Sequence, residues 1–303
     1  MNENRDENAV DVAIIGGSNA GLSAALTLGR SRRRVVVLDD SHPRNAPADH
    51  THNFYTQDGT PPDELRRIGR EQLAPYDVHF LNTRVSRAGG SKGRFHLELT
   101  DGSTLLASRL LLATGVSDDL PPIPGLRDVW GTSAFTCPYC HGWEVRDTPL
   151  AVLGGSAFDY DYARFIQNWS DDLVLISSES MHLTDAQRTD LETRGIRVIE
   201  SHVTEFERQG RKLIALRLSD GQRLTRNAVF VHPPTSLRGD LHEQLGCALN
   251  PEGSLLKIND MGETSVPGIY AAGDIVTMAS IVMAAASGTR AAAALNHEFI
   301  LAK

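Results

Sequence analysis

The chain has 303 residues, 41% of them hydrophobic and 22% charged, a globular composition with enough apolar material for two domains. Its formal charge of −8 offers no basic surface, so nucleic acid is not an expected partner. Met1 to Asn8 is polar and partly acidic, unlike a secretory signal, and the most apolar stretch, Ile281 to Leu295, is broken by Ser287, Gly288 and Arg290. No membrane span is expected, and the cytoplasm is the expected compartment.

Val10 to Ile15 is a short apolar run rich in β-branched residues. Glycines follow, then a helical pattern from Leu22 to Leu28 and a second apolar run, Val35 to Leu38, ending at Asp39-Asp40. This reads as strand, turn, helix and parallel strand. The turn is Gly16-Gly17-Ser18-Asn19-Ala20-Gly21. A pyrophosphate at a helix start needs a tight turn and close backbone approach. Gly16 allows the turn and Gly21 lets the helix pack on the sheet. Ser18 replaces the middle glycine of the usual fingerprint and can hydrogen-bond phosphate. Asp39 stands about 20 positions on, where an acidic residue would accept bonds from ribose hydroxyls. The plainer alternative is a structural glycine turn without a dinucleotide. The arginines between Arg30 and Arg34 read as solvated charge at a helix end or, alternatively, as partners of a phosphate.

Pro61 to Pro75 reads as a helix bounded by prolines. Phe95 to Leu99 and Thr104 to Ala107 flank Asp101-Gly102 as a hairpin, and Leu110 to Ala113 is a buried strand ending at Thr114-Gly115. Pro121, Pro122, Pro124 and Gly125 mark a boundary. The pattern then restarts with a strand at Leu150 to Leu153, the turn Gly154-Gly155, a helix from Ala157 to Trp169 and a strand at Leu173 to Ile176. A hairpin-like region spans Leu213 to Leu218, Asp220-Gly221 and Ala228 to Val231, and Pro233-Pro234 marks the return. Ile269 to Asp274 and an Ala-rich helix close the chain. Two strand–helix–strand modules result, one inserted in the other.

Of three cysteines, two form Cys137-Pro138-Tyr139-Cys140, followed by His141. An odd count argues against a disulfide framework. Several readings stay open. A redox disulfide is the favoured one, with one thiol activated by a helix start or a basic neighbour. A zinc site would need more ligands, for which His141 and His182 are the candidates. The string also matches a c-type haem attachment, which would require export, and a glutaredoxin-type pair, which belongs near the start of a small domain. Two buried thiols are the plain option. Cys247, between Gly246 and Ala248, reads as a small core residue. Tyr139 and Trp143 read equally as substrate-facing or core aromatics.

Together these segments resemble the low-molecular-weight thioredoxin reductases and their relatives over nearly the whole chain. The resemblance rests on the first glycine turn, Ala113-Thr114-Gly115, the mid-chain cysteine pair, the second module and Thr264 to Asp274. It implies an α/β fold of two Rossmann-like, three-layer dinucleotide-binding domains, the second inserted in the first. Residues 1–116 and 248–303 would bind FAD, 117–247 would form the inserted pyridine-nucleotide-type domain carrying the cysteines, and the protein would be a homodimer. It implies cofactor contacts from Gly16, Ser18, Ala20, Gly21, Asp39, Asn45, Asn53, Ala113, Thr114, Gly115, Gly273 and Asp274, the last at the ribityl–phosphate region. It implies that Cys140 faces the flavin, that Cys137 exchanges with substrate, and that no metal takes part. His141 stands where the family has an aspartate, and near its ordinary pKa an imidazole there could serve as acid or base, or only pack. The expected partner is a thioredoxin-like protein or a small-molecule dithiol or disulfide.

The second nucleotide motif departs from the family. Gly154 to Asp159 lacks the third glycine spacing, and Phe158, Tyr160 and Tyr162 add bulk. Ser177-Ser178-Glu179-Ser180 stands in place of a basic cluster that would pair with the 2′-phosphate of NADPH. Glu179 would repel that phosphate and suits the free ribose of NADH, or the module binds no nucleotide. These departures, with His52-Asn53-Phe54 and Gln57-Asp58-Gly59, resemble reductase-like flavoproteins that do not respond to NADPH. They also resemble dithiol oxidases that close disulfides in natural products such as gliotoxin and holomycin with oxygen as acceptor. His50 and His52 read as bases near the flavin or as solvated loop residues. The leading expectation is an FAD-dependent disulfide oxidoreductase. A dithiol oxidase and a non-catalytic redox-sensing flavoprotein are the alternatives.

Overall fold

β1 (Val10–Ile15) is buried at every position after Val10, as a strand covered on both faces must be. The computed structural model, which describes residues 9–178 and 181–301, continues through α1 (Asn19–Arg30) to β2 (Val35–Leu38). β2 runs parallel to β1, with Val12 opposite Val35 and Ile15 opposite Leu38. α2 (Pro62–Glu71) leads to β3 (Val78–Leu81), parallel to β2. The helix is shorter than the Pro61–Pro75 pattern because Leu73, Ala74 and Tyr76 close single turns onto carbonyls three residues back.

β4 (Val85–Ser91), β5 (Arg94–Leu99) and β6 (Thr104–Leu112) form an antiparallel ribbon. β6 serves two sets of partners. Its first half pairs with β5, and Leu110 to Leu112 pair in parallel with β1. β7 (Val116–Asp118) ends this stretch.

A second set of elements follows: α3 (Leu126–Val129), β8 (Ala134–Phe135), α4 (Pro138–His141), β9 (Leu150–Gly154), α5 (Phe158–Ile166), β10 (Leu173–Ser177), α6 (Asp185–Thr193) and β11 (Arg197–Glu200). Then come β12 (Val203–Gln209), β13 (Lys212–Leu218), β14 (Arg223–Thr225) and β15 (Ala228–Val231). The helix expected to reach Trp169 ends at Ile166, and Gln167–Trp169 tightens into a 3-10 turn. The expected hairpin is also corrected. β13 turns at Asp220-Gly221 onto β14, whereas β15 inserts beside β9 in the parallel sheet ordered β11-β10-β9-β15-β8. The fully apolar, buried sequence of β15 suits that central place.

β16 (Thr235–Leu237) pairs with β7, α7 (Leu241–Gln244) follows, β17 (Ile269–Ala271) runs parallel to β6, and α8 (Ile281–Leu301) closes the chain against α1. The helices meet closely: a Cβ on Gly288 would lie 2.1 Å from the Ala20 carbonyl oxygen.

The chain forms two units. One runs to Ala46, resumes over Asp63–Ser117 and again from Thr235; the other comprises Pro47–Pro62 and Asp118–Pro234. Each has helices on one face of a parallel sheet and antiparallel strands on the other. In the first, Val12 and Ile14 pack with α1 and α8, while Ala13 and Ile15 pack with Phe95 and Leu97 of the ribbon. In the second, Leu150 and Val152 face Tyr162 and Ile166 of α5, while Ala151 faces Phe206 and Leu216. Two bounds differ from those expected. Residues 235–247 belong to the first unit, because Leu241 and Cys247 join its core. Pro47–Pro62 belongs to the second, where Arg211 bonds Asp49 and the Pro47 carbonyl.

Candidate functional site

In the first unit, β2 and β3 lie on one side of β1 and β6 and β17 on the other, so β1 and β6 flank the switch point where α/β sheets bind ligands. The Ala113 N–H donates to the Ile15 carbonyl and the Ala272 N–H to that of Leu112. These bonds bring the glycine turn, Ala113-Thr114-Gly115 and Gly273-Asp274 together at the C-terminal ends of the strands. Gly16 has φ 111°, and a Cβ there would lie 2.2 Å from the Ala113 oxygen. A Cβ on Gly21 would lie 1.9 Å from the Gly16 oxygen. Only glycine fits either place.

Ser18 is the N-cap of α1, and its side chain makes no capping bond. Asp39 accepts from the Gly17 N–H at 3.2 Å and from Arg70 at 2.5 Å. Arg44 reaches Asp274 at 3.1 Å, both side chains about a fifth exposed. A cradle closed to any Cβ, a helix start with no side-chain cap, and placed acidic groups fit the dinucleotide FAD. Asn45 lies in this unit, in the segment after β2. Arg30 to Arg34 sit at the other end of α1, where Arg30 bonds the Tyr76 hydroxyl and Arg33 bonds Asn296. Cys247 is buried, which raises its thiol pKa, as suits a core residue.

In the second unit β8 leads directly to Cys137, the N-cap of α4. Tyr162 donates to the Thr136 carbonyl at 2.7 Å, fixing the residue before it. Cys137 and Cys140 form a disulfide with Cα atoms 5.2 Å apart. Among the described residues no group of three or more His, Cys, Asp or Glu could hold a metal, so neither His141 nor His182 completes a zinc set. Tyr139 and Trp143 are 64% and 66% exposed beside the pair, so they are surface and not core aromatics. Arg146 lies over the Trp143 ring at 3.7 Å.

His141 stacks on Phe135 with centroids 4.4 Å apart, and its Nε2 is buried without a hydrogen-bond partner. Burial, with a smaller contribution from His52, pushes its pKa down to about 4. The ring is therefore unprotonated at neutral pH and stays so in mildly acidic solution, where an ordinary histidine is protonated. His52 sits edge-on to it at 6.2 Å, with Glu144 at 3.6 Å from its Nε2 and Asp58 at 3.7 Å from its Nδ1. His50 lies 6.3 Å from His52. Asn53 is exposed in the same loop, with its N–H donating to Asp58 at 2.8 Å. Sequence reasoning missed Arg44, Arg70 and Glu144; each pairs across a long sequence separation that no local pattern reveals.

The second glycine turn is closed on itself by a carboxylate from the helix that follows it. Asp159 Oδ2 accepts from the N–H groups of Gly155 and Ser156 at 2.8 and 2.7 Å and from Ser156 Oγ at 3.0 Å. The backbone donors a pyrophosphate would use are thus held by the chain itself. Glu179, expected to oppose a 2′-phosphate, lies outside the described residues.

A dinucleotide cradle and a closed cysteine pair define a flavin-dependent disulfide oxidoreductase. Residues 10–288 match the pyridine nucleotide-disulphide oxidoreductase family, and the chain belongs to it. FAD and a pyridine nucleotide are the cofactors that family implies. The chain is 31% identical to the probable thioredoxin reductase of Arthroderma benhamiae, over 96% of this chain and 81% of that protein. It is 31% identical to thioredoxin reductase sirT of Leptosphaeria maculans, over 95% and 94%. The crystal structure of an oxidoreductase from Agrobacterium tumefaciens superposes with a TM-score of 0.92 at 35% identity, covering 97% of this chain and 100% of that one. No helix among the described residues is long and apolar enough to cross a membrane.

Proposed function

We propose that this oxidoreductase exchanges two electrons with its substrate at Cys137, with Cys140 as the flavin-side thiol. The observation that carries the reading is the closed Cys137–Cys140 disulfide at the start of α4, flanked by exposed Tyr139 and Trp143. In the oxidising direction a substrate thiolate attacks Cys137 Sγ, the bond to Cys140 breaks, and Cys140 leaves as thiolate. The second substrate thiolate then displaces Cys137 and closes the substrate disulfide, leaving both cysteines reduced. The reducing direction is the reverse. FAD, held by Gly16 to Gly21, Asp39 and Gly273-Asp274, supplies the two-electron store.

His141 is unprotonated while the pair is closed. Opening the disulfide creates a thiolate on the residue before it, and that charge favours the imidazolium. His141 is thus suited to hold the proton released by the substrate thiol. The substrate class is a thioredoxin-like disulfide or a small dithiol, its exposed aromatic neighbours suiting either. A cytoplasmic homodimer is part of this proposal, resting on composition and family likeness.

Cys137→Ser tests the reading. The variant should purify yellow and lose exchange with a dithiol substrate. Full turnover without the Cys137 thiol would remove the cysteine pair from the mechanism.

A further inference from the structure

We infer that the glycine turn of the second unit is occupied by the chain's own Asp159 and takes no pyridine nucleotide. Such a turn holds pyrophosphate through N–H groups where a strand passes into a helix. Here the turn follows β9 and opens α5, and its donors already have an anion. Asp159 Oδ2 accepts all three bonds, from Gly155 N, Ser156 N and Ser156 Oγ, within 3.0 Å. Asp159 is 3% exposed and lies in the first turn of α5, so its charge sits where the helix would favour a phosphate. Its Oδ1 is buried without a partner, a cost that the three bonds to Oδ2 offset. An entering pyrophosphate must either displace a tethered carboxylate or be buried against its charge. Both outcomes oppose binding.

Two further groups narrow the same edge. Met181 Sδ lies 2.6 Å from where a Cβ on Gly154 would stand, so it rests directly on the turn. The Phe158 ring packs on His232 at 4.6 Å and on Tyr162 at 5.9 Å. His232 follows β15, and β9 and β15 are the neighbours at which the strand order of this parallel sheet reverses. The ring pair therefore bridges the two strand ends that would flank a nucleotide. The second unit acts as the frame that carries Cys137 and Cys140, and the two electrons would enter from a substrate dithiol, which closes to its disulfide as the Cys137–Cys140 disulfide opens.

The test is anaerobic flavin absorbance of the holoprotein after mixing with excess NADPH, NADH or dithiothreitol. Dithiothreitol should bleach the flavin and both nucleotides should leave it unchanged, with neither retained in equilibrium dialysis. Bleaching or retention by either nucleotide would overturn the inference while leaving the cysteine assignment standing. A flavin that dithiothreitol fails to bleach would strike the cysteine assignment instead. Asp159→Gly, checked for fold by circular dichroism, should gain saturable binding of inorganic pyrophosphate that the native chain lacks. No gain in the folded variant would remove Asp159 as the occupant.

Discussion

Acid should weaken the second unit through His141, by an amount the structure sets. An unfolded histidine protonates near 6.5, whereas burial holds His141 at about 4. Between those values the unfolded chain binds a proton that the folded chain refuses. Stability is therefore full above pH 6.5, falls as the pH drops below it, and the loss is complete below pH 4. At 1.36 kcal/mol per unit the interval is worth about 3 kcal/mol, and about 2 kcal/mol once the ring's partial exposure is allowed for. The three tryptophans, Trp130, Trp143 and Trp169, all lie in the second unit, so tryptophan fluorescence follows its unfolding alone. Urea unfolding at pH 7, 5.5 and 4.5 would be compared for the native chain and His141→Gln. Losing the Phe135 stack offsets the variant equally at every pH, so only the slope matters. The native chain should lose about 2 kcal/mol more than the variant between pH 7 and 4.5. Parallel profiles would refute the argument that burial keeps this imidazole neutral.

Gly21→Ala places a Cβ 1.9 Å from the Gly16 oxygen and must shift the start of α1. The purified variant should carry little flavin, read from visible absorbance. Asp274→Ala removes the partner of Arg44 and an expected flavin ligand, so dialysis should strip its cofactor faster than from the native chain. Glu298 is the acceptor for Arg109, Lys92 and Tyr270. Burial acts to raise its pKa, but the bonds from Lys92 and Arg109 outweigh it and hold the carboxyl below its ordinary value. Glu298→Ala should cost about 3–5 kcal/mol, because Arg109 is left buried without its carboxylate. An unchanged thermal midpoint would show that the Arg109 stack on Phe299 suffices.

The sequence made the local features legible. The first glycine turn sits between an apolar strand and a helix, and Gly21 is demanded by the Gly16 carbonyl within the same module, whereas the demand on Gly16 comes from the distant Ala113 carbonyl. The Asp101-Gly102 turn likewise announces the β5–β6 pairing. What sequence did not show depends on residues far apart in the chain. Nothing in His50 or His52 signals that they join His141, because Pro47–Pro62 is drawn to the second unit by Arg211. β15 looks like the return strand of β13 until its uninterrupted burial is matched to β9. The weak second motif was visible as missing glycine and added bulk. That Asp159 turns back onto Gly155 and Ser156 was not, since an acidic residue in a helix's first turn is unremarkable in itself.

The late position of β17 and α8 has a consequence for biosynthesis. The proposed flavin cradle joins Gly16 to Gly21 with Gly273-Asp274, far later in the sequence, and Gly288 covers Ala20. A ribosome must therefore release the chain past Gly288 before the cradle can close. By then every strand of the second unit has emerged, and that unit can fold while the first still lacks β17. The cysteines can thus reach their folded surroundings in a nascent protein that has no flavin to receive their electrons. Cofactor loading should then follow folding of the second unit, and starvation for flavin should accumulate chains whose second unit is ordered and whose first is open.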